Sequence, residues 1–261
     1  GTVIESVDGV TIAPDRDLAE VLNRKADQNV LLGLLENGQR RELLVRPVAR
    51  SRANQLLYTR WVERNRAEVE RLSNGRLGYV HFPGMNDGAY RTNIQEVMGR
   101  YITKEGIVVD TRFNGRGALV AELAMLLRGQ GFLDSTTDTR SSGFEPNFRW
   151  TKPSVSLVNE ANYSDGHCYA WAYKELGIGR RIGMPVPGTC TFAGWAAGGG
   201  GVLWSAAGLG VKDTKTGRYL ENWETDPDIR IMNEFGPVSR GQDQQLEAAV
   251  RELLRLVGNG Q

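Results

Sequence analysis

The residues with the clearest chemical potential form a predicted strand-to-helix turn, residues 159–166, with the sequence NEANYSDG. An apolar run at 154–158 precedes it, and a helix-like run at 167–176 follows it. A serine at such a turn, here Ser164, can act as a nucleophile. Its hydroxyl lies at the positive end of the helix, and neighbouring backbone N–H groups can face a developing oxyanion. The alternative is a Ser164–Asp165 helix cap without chemistry.

A serine hydroxyl needs a nearby base to become a good nucleophile, and the chain has two histidines, His81 and His167. His81 lies within a predicted strand, which favours a structural role. His167 follows Ser164 by three residues on the same predicted helix, where its ring should point along the helix surface rather than at the hydroxyl. We therefore expect a capping or packing role for His167, and no base for Ser164 within this chain.

Metal and phosphate chemistry find no support in the sequence. The histidines, cysteines and acidic residues do not have the spacing of metal ligands, so no metal site is predicted. The Gly115–Gly117 segment is too short for a phosphate-binding loop, and the glycine cluster at 198–201 lacks a following helix and lysine. That cluster predicts a tight or mobile loop instead. Cys168, four residues after Ser164, is expected to be a core residue.

The elements that must position Ser164 alternate between strands and helices. The pattern predicts strands over 77–82, 106–110, 155–158 and 180–183, and helices over 93–101, 118–127 and 167–176. This succession predicts an α/β core with mainly parallel strands. Ligands bind such sheets at the carboxyl ends of the strands. The loops after Asp110 and Val158 both lie at such ends, so Gly115, Gly117 and Ser164 are expected to converge.

The amino-terminal part of the chain has a different pattern. Residues 1–48 predict a compact α+β unit, with a turn at Asp8-Gly9, a helix capped by Asp15 or Asp17 that runs to about residue 26, and a hairpin at 37–38. Residues 50–73 predict a charged helix. The predicted organisation is therefore an α+β unit over 1–48, a helical linker over 49–75 and a core domain over 76–261.

The composition excludes several classes of protein. The chain has 261 residues, 40% hydrophobic and 24% charged, with a net charge of +1. This balance gives no electrostatic case for binding nucleic acid or a membrane, and no apolar run is long enough to cross a bilayer. Two cysteines are too few for a disulfide scaffold and fit a reducing compartment, so we expect a cytoplasmic protein. The chain begins without methionine or a signal peptide, and we expect it to be part of a longer protein.

Five motifs, in order along residues 76–230, resemble those of the tail-specific, tricorn-type serine proteases. Residues 78–83 (GYVHFP) resemble "G-Y-I-x-I-P", residues 110–117 (DTRFNGRG) resemble "D-x-R-x-N-x-G-G", and residues 159–166 resemble "N-E-x-x-x-S-D-G". Residues 176–183 and 221–229 resemble the family's "L-G-x-x-x-x-I-G" and "E-N-x-G-V-x-P-D". Residues 1–12 are similar to the core of a PDZ domain, which precedes the protease domain in this family. The first PDZ strand and the carboxylate-binding loop are missing, so peptide capture and a simple spacer role both remain open.

The resemblance implies a ClpP- and crotonase-like α/β fold, acyl-enzyme chemistry and no cofactor. Ser164 would be the nucleophile, the backbone N–H groups of Asp165 and Gly117 would form the oxyanion hole, and Glu221 would complete a catalytic tetrad. Glu224 is an alternative to Glu221, because the sequence after residue 222 departs from the family pattern. The base histidine and its orienting serine would come from the amino-terminal region of the same protein, outside this chain. Oligopeptide substrates and a homo-oligomer are also implied.

The residues favour three other interpretations less. A related branch of the fold uses a serine–lysine dyad, but residues 189–195 contain no lysine at the corresponding stretch. A non-catalytic scaffold, in which the PDZ-like unit and a degenerate protease fold bind peptides or proteins, is the main alternative. An α/β hydrolase acting on esters would require Gly-x-Ser-x-Gly, which the turn at Ser164 lacks. Arg116 interrupts the glycine-rich loop, and could contact substrate or a carboxylate.

Overall fold

The chain consists of two compact units, Gly1–Glu63 and Arg64 onward. The computed structural model describes residues 1–258. A long helix, α2 (Arg50–Leu72), crosses the division between the units. The predicted charged helix is therefore present at its expected position, and Asn74 and Gly75 end it with positive φ angles of 51° and 74°. The predicted three-part division of the chain stays a prediction.

The first unit contains an antiparallel sheet with the strand order β2-β1-β3-β4. Its elements are β1 (Val3–Val7), β2 (Val10–Thr11), α1 (Leu18–Leu22), β3 (Val30–Glu36) and β4 (Gln39–Val45). Asn37 and Gly38 have φ angles of 52° and 80°, the left-handed pair that a two-residue hairpin requires. The predicted hairpin is therefore confirmed. A small cluster of Val7, Val21 and Val30 forms the apolar core of this unit.

Helix α1 begins where the sequence predicts but ends earlier. The Asp17 carboxylate accepts a hydrogen bond from Ala19 N at 2.8 Å, which makes Asp17 rather than Asp15 the cap. The helix ends at Leu22 instead of continuing to about residue 26. Arg24 and Asp27 adopt positive φ angles of 60° and 61°, a conformation that a right-handed helix does not contain.

The second unit is built on a parallel five-stranded sheet with the order β13-β10-β9-β6-β5. The strands are β5 (Leu77–His81), β6 (Gly106–Asp110), β9 (Ser154–Val158), β10 (Arg180–Gly183) and β13 (Ile229–Arg230). Every residue of β5, β6 and β9 is buried, as expected where helices cover both faces of a parallel sheet. The prediction of an α/β core with parallel strands is confirmed.

The helices of this unit are α3 (Asp87–Gln95), α4 (Val120–Arg128), α5 (Asp165–Glu175), α6 (Phe235–Ser239) and α7 (Gln244–Gly258), and a π-helical turn, Glu96–Arg100, continues α3. Helices α3, α4 and α5 lie at or near the predicted ones, whereas α6 was not predicted. The sequence did not lead us to predict α7. Its apolar residues repeat at helical spacing and are buried, which is a signal that the sequence does carry: Leu246, Ala249, Val250, Leu253 and Val257.

Two exposed hairpins extend from the core, and neither was predicted as strands. One pairs β7 (Leu133–Thr137) with β8 (Arg140–Glu145). The other pairs β11 (Thr191–Ala197) with β12 (Leu203–Gly210). The glycine cluster at 198–201 forms the tight connection of this second hairpin, with φ angles of 74° and 78° at Gly200 and Gly201.

Candidate active site

A buried ion network shapes the loop that follows β6. Asp110 accepts hydrogen bonds from the backbone N–H of Arg112 at 3.0 Å and from its Nη2 at 2.6 Å. Asp243 pairs with the same guanidinium at 2.8 Å. Burial alone would raise the pKa of Asp110, but the Arg112 guanidinium outweighs it and keeps that pKa below its usual value. Asp110 and Arg112 therefore hold this loop in place rather than face substrate.

Side-chain amides join this loop to the turn that contains Ser164. Asn114 Nδ2 donates to Phe82 O at 2.8 Å, which fixes the loop to the end of β5. Tyr163 N donates to Asn114 O at 2.8 Å, and Asn162 Nδ2 donates to Thr111 O at 2.9 Å. Because these bonds cross from one strand end to the next, the glycine-rich loop and the Ser164 turn meet at the carboxyl edge of the sheet, as predicted.

Ser164 has a backbone conformation that L residues rarely adopt, with φ 56° and ψ −120°. Such strain costs on the order of 1–3 kcal/mol and occurs preferentially at functional sites. Thr189 Oγ1 accepts the Ser164 N–H at 3.0 Å, and the Ser164 carbonyl accepts the N–H groups of His167 and Cys168. The side chain is half-buried, and its Oγ forms no hydrogen bond with any other residue of 1–258. The turn therefore presents a hydroxyl that is not used structurally.

The two predicted oxyanion donors have unused N–H groups. Within the described part of the chain, neither Asp165 N nor Gly117 N has a hydrogen-bond acceptor, although the groups around them are bonded. The Asp165 carboxylate is buried and accepts the Leu119 N–H at 2.7 Å, which connects the start of α5 to the residues just after the glycine-rich loop. Burial raises the pKa of Asp165. The backbone donors are therefore available for a ligand atom.

Only glycine fits at position 117. Its φ is 142°, and a Cβ there would lie 1.9 Å from Met85 O. Met85 clamps the loop on both sides, because Met85 N donates to Arg116 O at 2.8 Å and Ala118 N donates to Met85 O at 2.9 Å. The loop conformation thus depends on the absence of a side chain at Gly117.

His167 has the structural role that the sequence favours. Its Nε2 lies 3.0 Å from Thr225 Oγ1, and its Nδ1 accepts the Thr189 N–H at 3.1 Å. The ring is fully buried, which lowers its pKa to about 4. With both ring nitrogens engaged, His167 is not placed to take a proton from Ser164.

His81 is also held inside the fold. Its Nε2 contacts Arg112 O at 3.0 Å, and burial lowers its pKa. Neither histidine of this chain forms a hydrogen bond with Ser164 among the contacts of residues 1–258.

Glu221 lies close in the hydrogen-bond network to the loop that holds Ser164. Its Oε2 accepts a hydrogen bond from Thr191 Oγ1, two residues after Thr189. The Glu221 side chain is exposed, so a group from outside the described chain can reach it. Glu224, the alternative, is exposed as well. Glu221 is thus connected to the Thr189 segment through Thr191, whereas Glu224 has no side-chain bond within residues 1–258.

A disulfide joins Cys168 on α5 to Cys190 next to Thr189. Cys168 is buried, as expected of a core residue, but the sequence did not predict the bond. The two cysteines are 22 residues apart in sequence and 5.1 Å apart between Cα atoms. Disulfides are typical of oxidising compartments, so the bond removes the cysteine-based support for a reducing one. The cytoplasmic location stays a prediction.

Residues 1–258 contain neither a metal-binding cluster nor a membrane-spanning helix. No group of three or more histidine, cysteine or carboxylate side chains is arranged to hold a metal ion. None of the helices in this part of the chain has the length and apolar character needed to cross a membrane.

Comparison with known proteins identifies the class. The family model for peptidase family S41 matches residues 76–231, more than half of the chain. The chain therefore belongs to peptidase family S41, whose members are serine-type peptidases, and the resemblance inferred from the five motifs is confirmed.

Relatives place it in the tricorn-type group of that family. The chain is 29% identical to the tricorn protease of Thermoplasma acidophilum over 99% of its own length, and 30% identical to tricorn protease homolog 1 of Streptomyces coelicolor over 96%. It spans about a quarter of each relative, 24% and 23%.

Solved structures agree on the fold. The crystal structure of the tricorn protease matches with a TM-score of 0.80 and 25% identity, over 99% of this chain and 25% of that one. Mature CPAF matches with a TM-score of 0.56 and 13% identity, over 100% of this chain and 78% of that one. That second likeness concerns the fold alone.

Proposed function

We propose that Ser164 is the nucleophile of a tricorn-type serine endopeptidase that hydrolyses oligopeptides through an acyl-enzyme. The observation that carries the proposal is the geometry of one turn. Ser164 is held in a strained conformation with an unbonded hydroxyl, and the next residue offers an unbonded backbone N–H at the start of α5. Strain without an internal hydrogen-bond partner is expected where the partner is a substrate.

The reaction uses these groups in a defined order. Ser164 Oγ attacks the carbonyl carbon of the scissile peptide while a base takes the hydroxyl proton. The carbonyl oxygen becomes an oxyanion, which the N–H groups of Asp165 and Gly117 stabilise. The base then gives the proton to the leaving amine, and the peptide C–N bond breaks, leaving an ester on Ser164. Water, deprotonated by the same base, hydrolyses this ester and restores the serine.

The base comes from outside the described residues in this proposal. His81 and His167 are engaged elsewhere, so the base is a histidine of the amino-terminal region of the same protein, oriented by a second serine. Glu221 completes this tetrad, because its exposed carboxylate lies beside the Thr189–Thr191 segment that holds Ser164. Loss of a base costs on the order of a thousandfold or more in rate. The chain of 261 residues alone is therefore expected to have little or no peptidase activity.

The remaining assignments concern the domains, location and assembly of the whole protein. We propose that residues 1–48 are a partial PDZ domain, that residues 49–75 link it to the catalytic domain, and that the whole protein is a cytoplasmic homo-oligomer. A closed assembly would admit short peptides and exclude folded proteins.

The proposal is tested by incubating the full-length protein and its Ser164→Ala variant with a mixed library of fluorogenic peptides. We expect hydrolysis by the wild type and its loss in the variant, while the thermal unfolding of both proteins remains similar. An inactive wild type, or a variant with full activity, would contradict the assignment.

The second candidate is a non-catalytic scaffold that binds peptides or protein partners. The lack of a base among His81 and His167 is the observation that favours it. One feature distinguishes the two functions. A histidine-containing region upstream in the same protein favours the enzyme over the scaffold.

A further inference from the structure

A cleft beside the proposed oxyanion hole carries one unpaired positive charge. The cleft has a volume of about 520 Å³ and is lined by Pro83, Gly84, Asn86, Phe113, Gly115 and Arg116. Arg116 is the ionisable residue among them. Its exposed side chain forms no ion pair or hydrogen bond with any other residue of 1–258, so its charge is not neutralised within this part of the protein.

Asp87, which follows Asn86 in the sequence, does not neutralise the charge of Arg116. Its carboxylate accepts a hydrogen bond from Arg91 Nε at 2.7 Å. The Asn86 side chain is used as the cap of α3, where its Oδ1 accepts the Ala89 N–H at 3.1 Å. The cleft therefore presents a free guanidinium, a group that binds carboxylates in a planar, bidentate geometry.

The position of Arg116 places that charge close to the reacting bond. Arg116 directly precedes Gly117, so their Cα atoms are about 3.8 Å apart. The same loop touches the nucleophile turn, because Asn114 O accepts the Tyr163 N–H and a Cβ on Gly166 would lie 2.9 Å from that oxygen. An extended peptide advances about 3.3 Å per residue. The Arg116 side chain can therefore reach substrate residues within about two positions of the scissile bond.

The cleft also offers an apolar surface for the rest of a substrate side chain. Phe113 lines it with 61% of its surface exposed, and Pro83 lines it as well. A volume of about 520 Å³ is within the usual range of ligand pockets. An acidic side chain, or the carboxyl end of a short peptide, matches this cleft, because its methylene groups can pack on the apolar surface while its carboxylate pairs with Arg116.

We infer that Arg116 is a specificity-determining residue that selects peptide substrates carrying a carboxylate next to the scissile bond. The inference rests on the proposed peptidase function and deepens it, because it names the chemical class of the substrate. The carboxylate can come from an aspartate or glutamate side chain or from the free carboxyl terminus of the peptide, and the test separates these sources.

The test compares full-length protein with Arg116→Gln and Arg116→Lys variants on paired, internally quenched peptides. One set differs by Glu or Gln at each of the two positions on either side of the cleaved bond, and the other by a free or amidated carboxyl terminus. Arg128→Gln is the matched control, since Arg128 is an exposed arginine at the end of α4 without an ion pair in the described chain.

We expect the wild type to prefer the carboxylate peptide by about tenfold in kcat/KM in one of these sets. This ratio should fall below about twofold in Arg116→Gln, be partly kept in Arg116→Lys, stay unchanged in Arg128→Gln and decrease in 1 M salt. Equal rates for the members of every pair, or a preference that Arg116→Gln does not alter, would overturn the inference while leaving the peptidase assignment intact.

A binding measurement keeps the inference testable without turnover. The same peptide pairs are titrated into the Ser164→Ala protein with and without Arg116→Gln. We expect the carboxylate peptide to bind about tenfold more tightly when Arg116 is present. If the wild type cleaves nothing but this difference is observed, the catalytic proposal fails and the recognition role stands. If the difference is missing, the recognition role fails.

Discussion

Replacement of Gly117 by alanine tests the link between loop geometry and catalysis. A Cβ at this position would lie 1.9 Å from Met85 O and 2.4 Å from Met85 C, both of which are backbone atoms that must move. The φ of 142° adds strain of about 1–3 kcal/mol, and overpacking against the backbone adds about 1–3 kcal/mol. We expect the free energy of unfolding of Gly117→Ala to fall by about 4 kcal/mol.

The same change is expected to impair the oxyanion hole. The 2.9 Å hydrogen bond from Ala118 N to Met85 O closes the loop, and movement of Met85 O weakens it. The Gly117 N–H then turns away from the position of the oxyanion. Loss of one oxyanion donor typically costs about 10²–10³-fold in kcat. The assays are urea unfolding, followed by tryptophan fluorescence, and peptide hydrolysis at a temperature where the variant is folded.

Gly115→Ala is the matched control two residues earlier. A Cβ there meets no atom within 4 Å, so we expect its unfolding free energy to stay within about 1 kcal/mol of the wild type. Its kcat should fall much less than that of Gly117→Ala. Equal unfolding midpoints and equal rates in the two variants would refute the reasoning about the loop.

Three further changes have defined outcomes. Reduction of the Cys168–Cys190 bond, which closes a 22-residue separation, should lower the unfolding free energy by about 3 kcal/mol; a Cys168→Ala/Cys190→Ala protein should not respond to reductant. Thr189→Val removes the acceptor of the Ser164 N–H and should lower stability by about 1 kcal/mol and kcat by about tenfold, with recovery in Thr189→Ser. Hydrogen bonds from Arg255 and then Arg180 lower the pKa of Glu252 from 4.5 to about 2, so its stabilisation is complete above pH 4.5 and lost as the pH falls toward 2. The free energies of unfolding of wild type and Glu252→Gln, measured by urea titration, should differ by about 1–2 kcal/mol at pH 7 and converge in acid.

The core of the fold was predictable because its strands are buried on both faces. Runs such as residues 106–110 (GIVVD) have few polar positions, and short apolar runs between helical segments are typical of parallel sheets. The turn at Ser164 was predictable for a related reason: it lies where such a strand passes directly into a helix. The expected convergence with Gly117 followed from the rule that parallel strands share one carboxyl edge.

The exposed hairpins were not predictable by the same reasoning. Every residue of the two strands in 133–145 is exposed, with serine, threonine and glycine rather than an alternating apolar face, so no hydrophobic period marks them as strands. In β11 and β12, small residues and glycines weaken the strand signal, so the sequence indicated only the connection between them, the glycine cluster at 198–201.

Long-range partners in the site were also beyond the sequence. The pairing of Cys168 with Cys190 depends on a 5.1 Å approach of two segments, which spacing along the chain does not specify. The same holds for Thr189, whose hydroxyl and N–H bind Ser164 and His167. No local pattern distinguishes this threonine from a surface residue.

Covalent trapping shows whether Ser164 is the nucleophile. The full-length protein is treated with a fluorophosphonate, which reacts with activated serine nucleophiles, and the modified residue is located by peptide mass spectrometry. We expect one adduct on the peptide that contains Ser164, formed in parallel with loss of peptide hydrolysis and missing in Ser164→Ala. Inactivation with the adduct on a different serine, or hydrolysis that continues after Ser164 is fully modified, would contradict it.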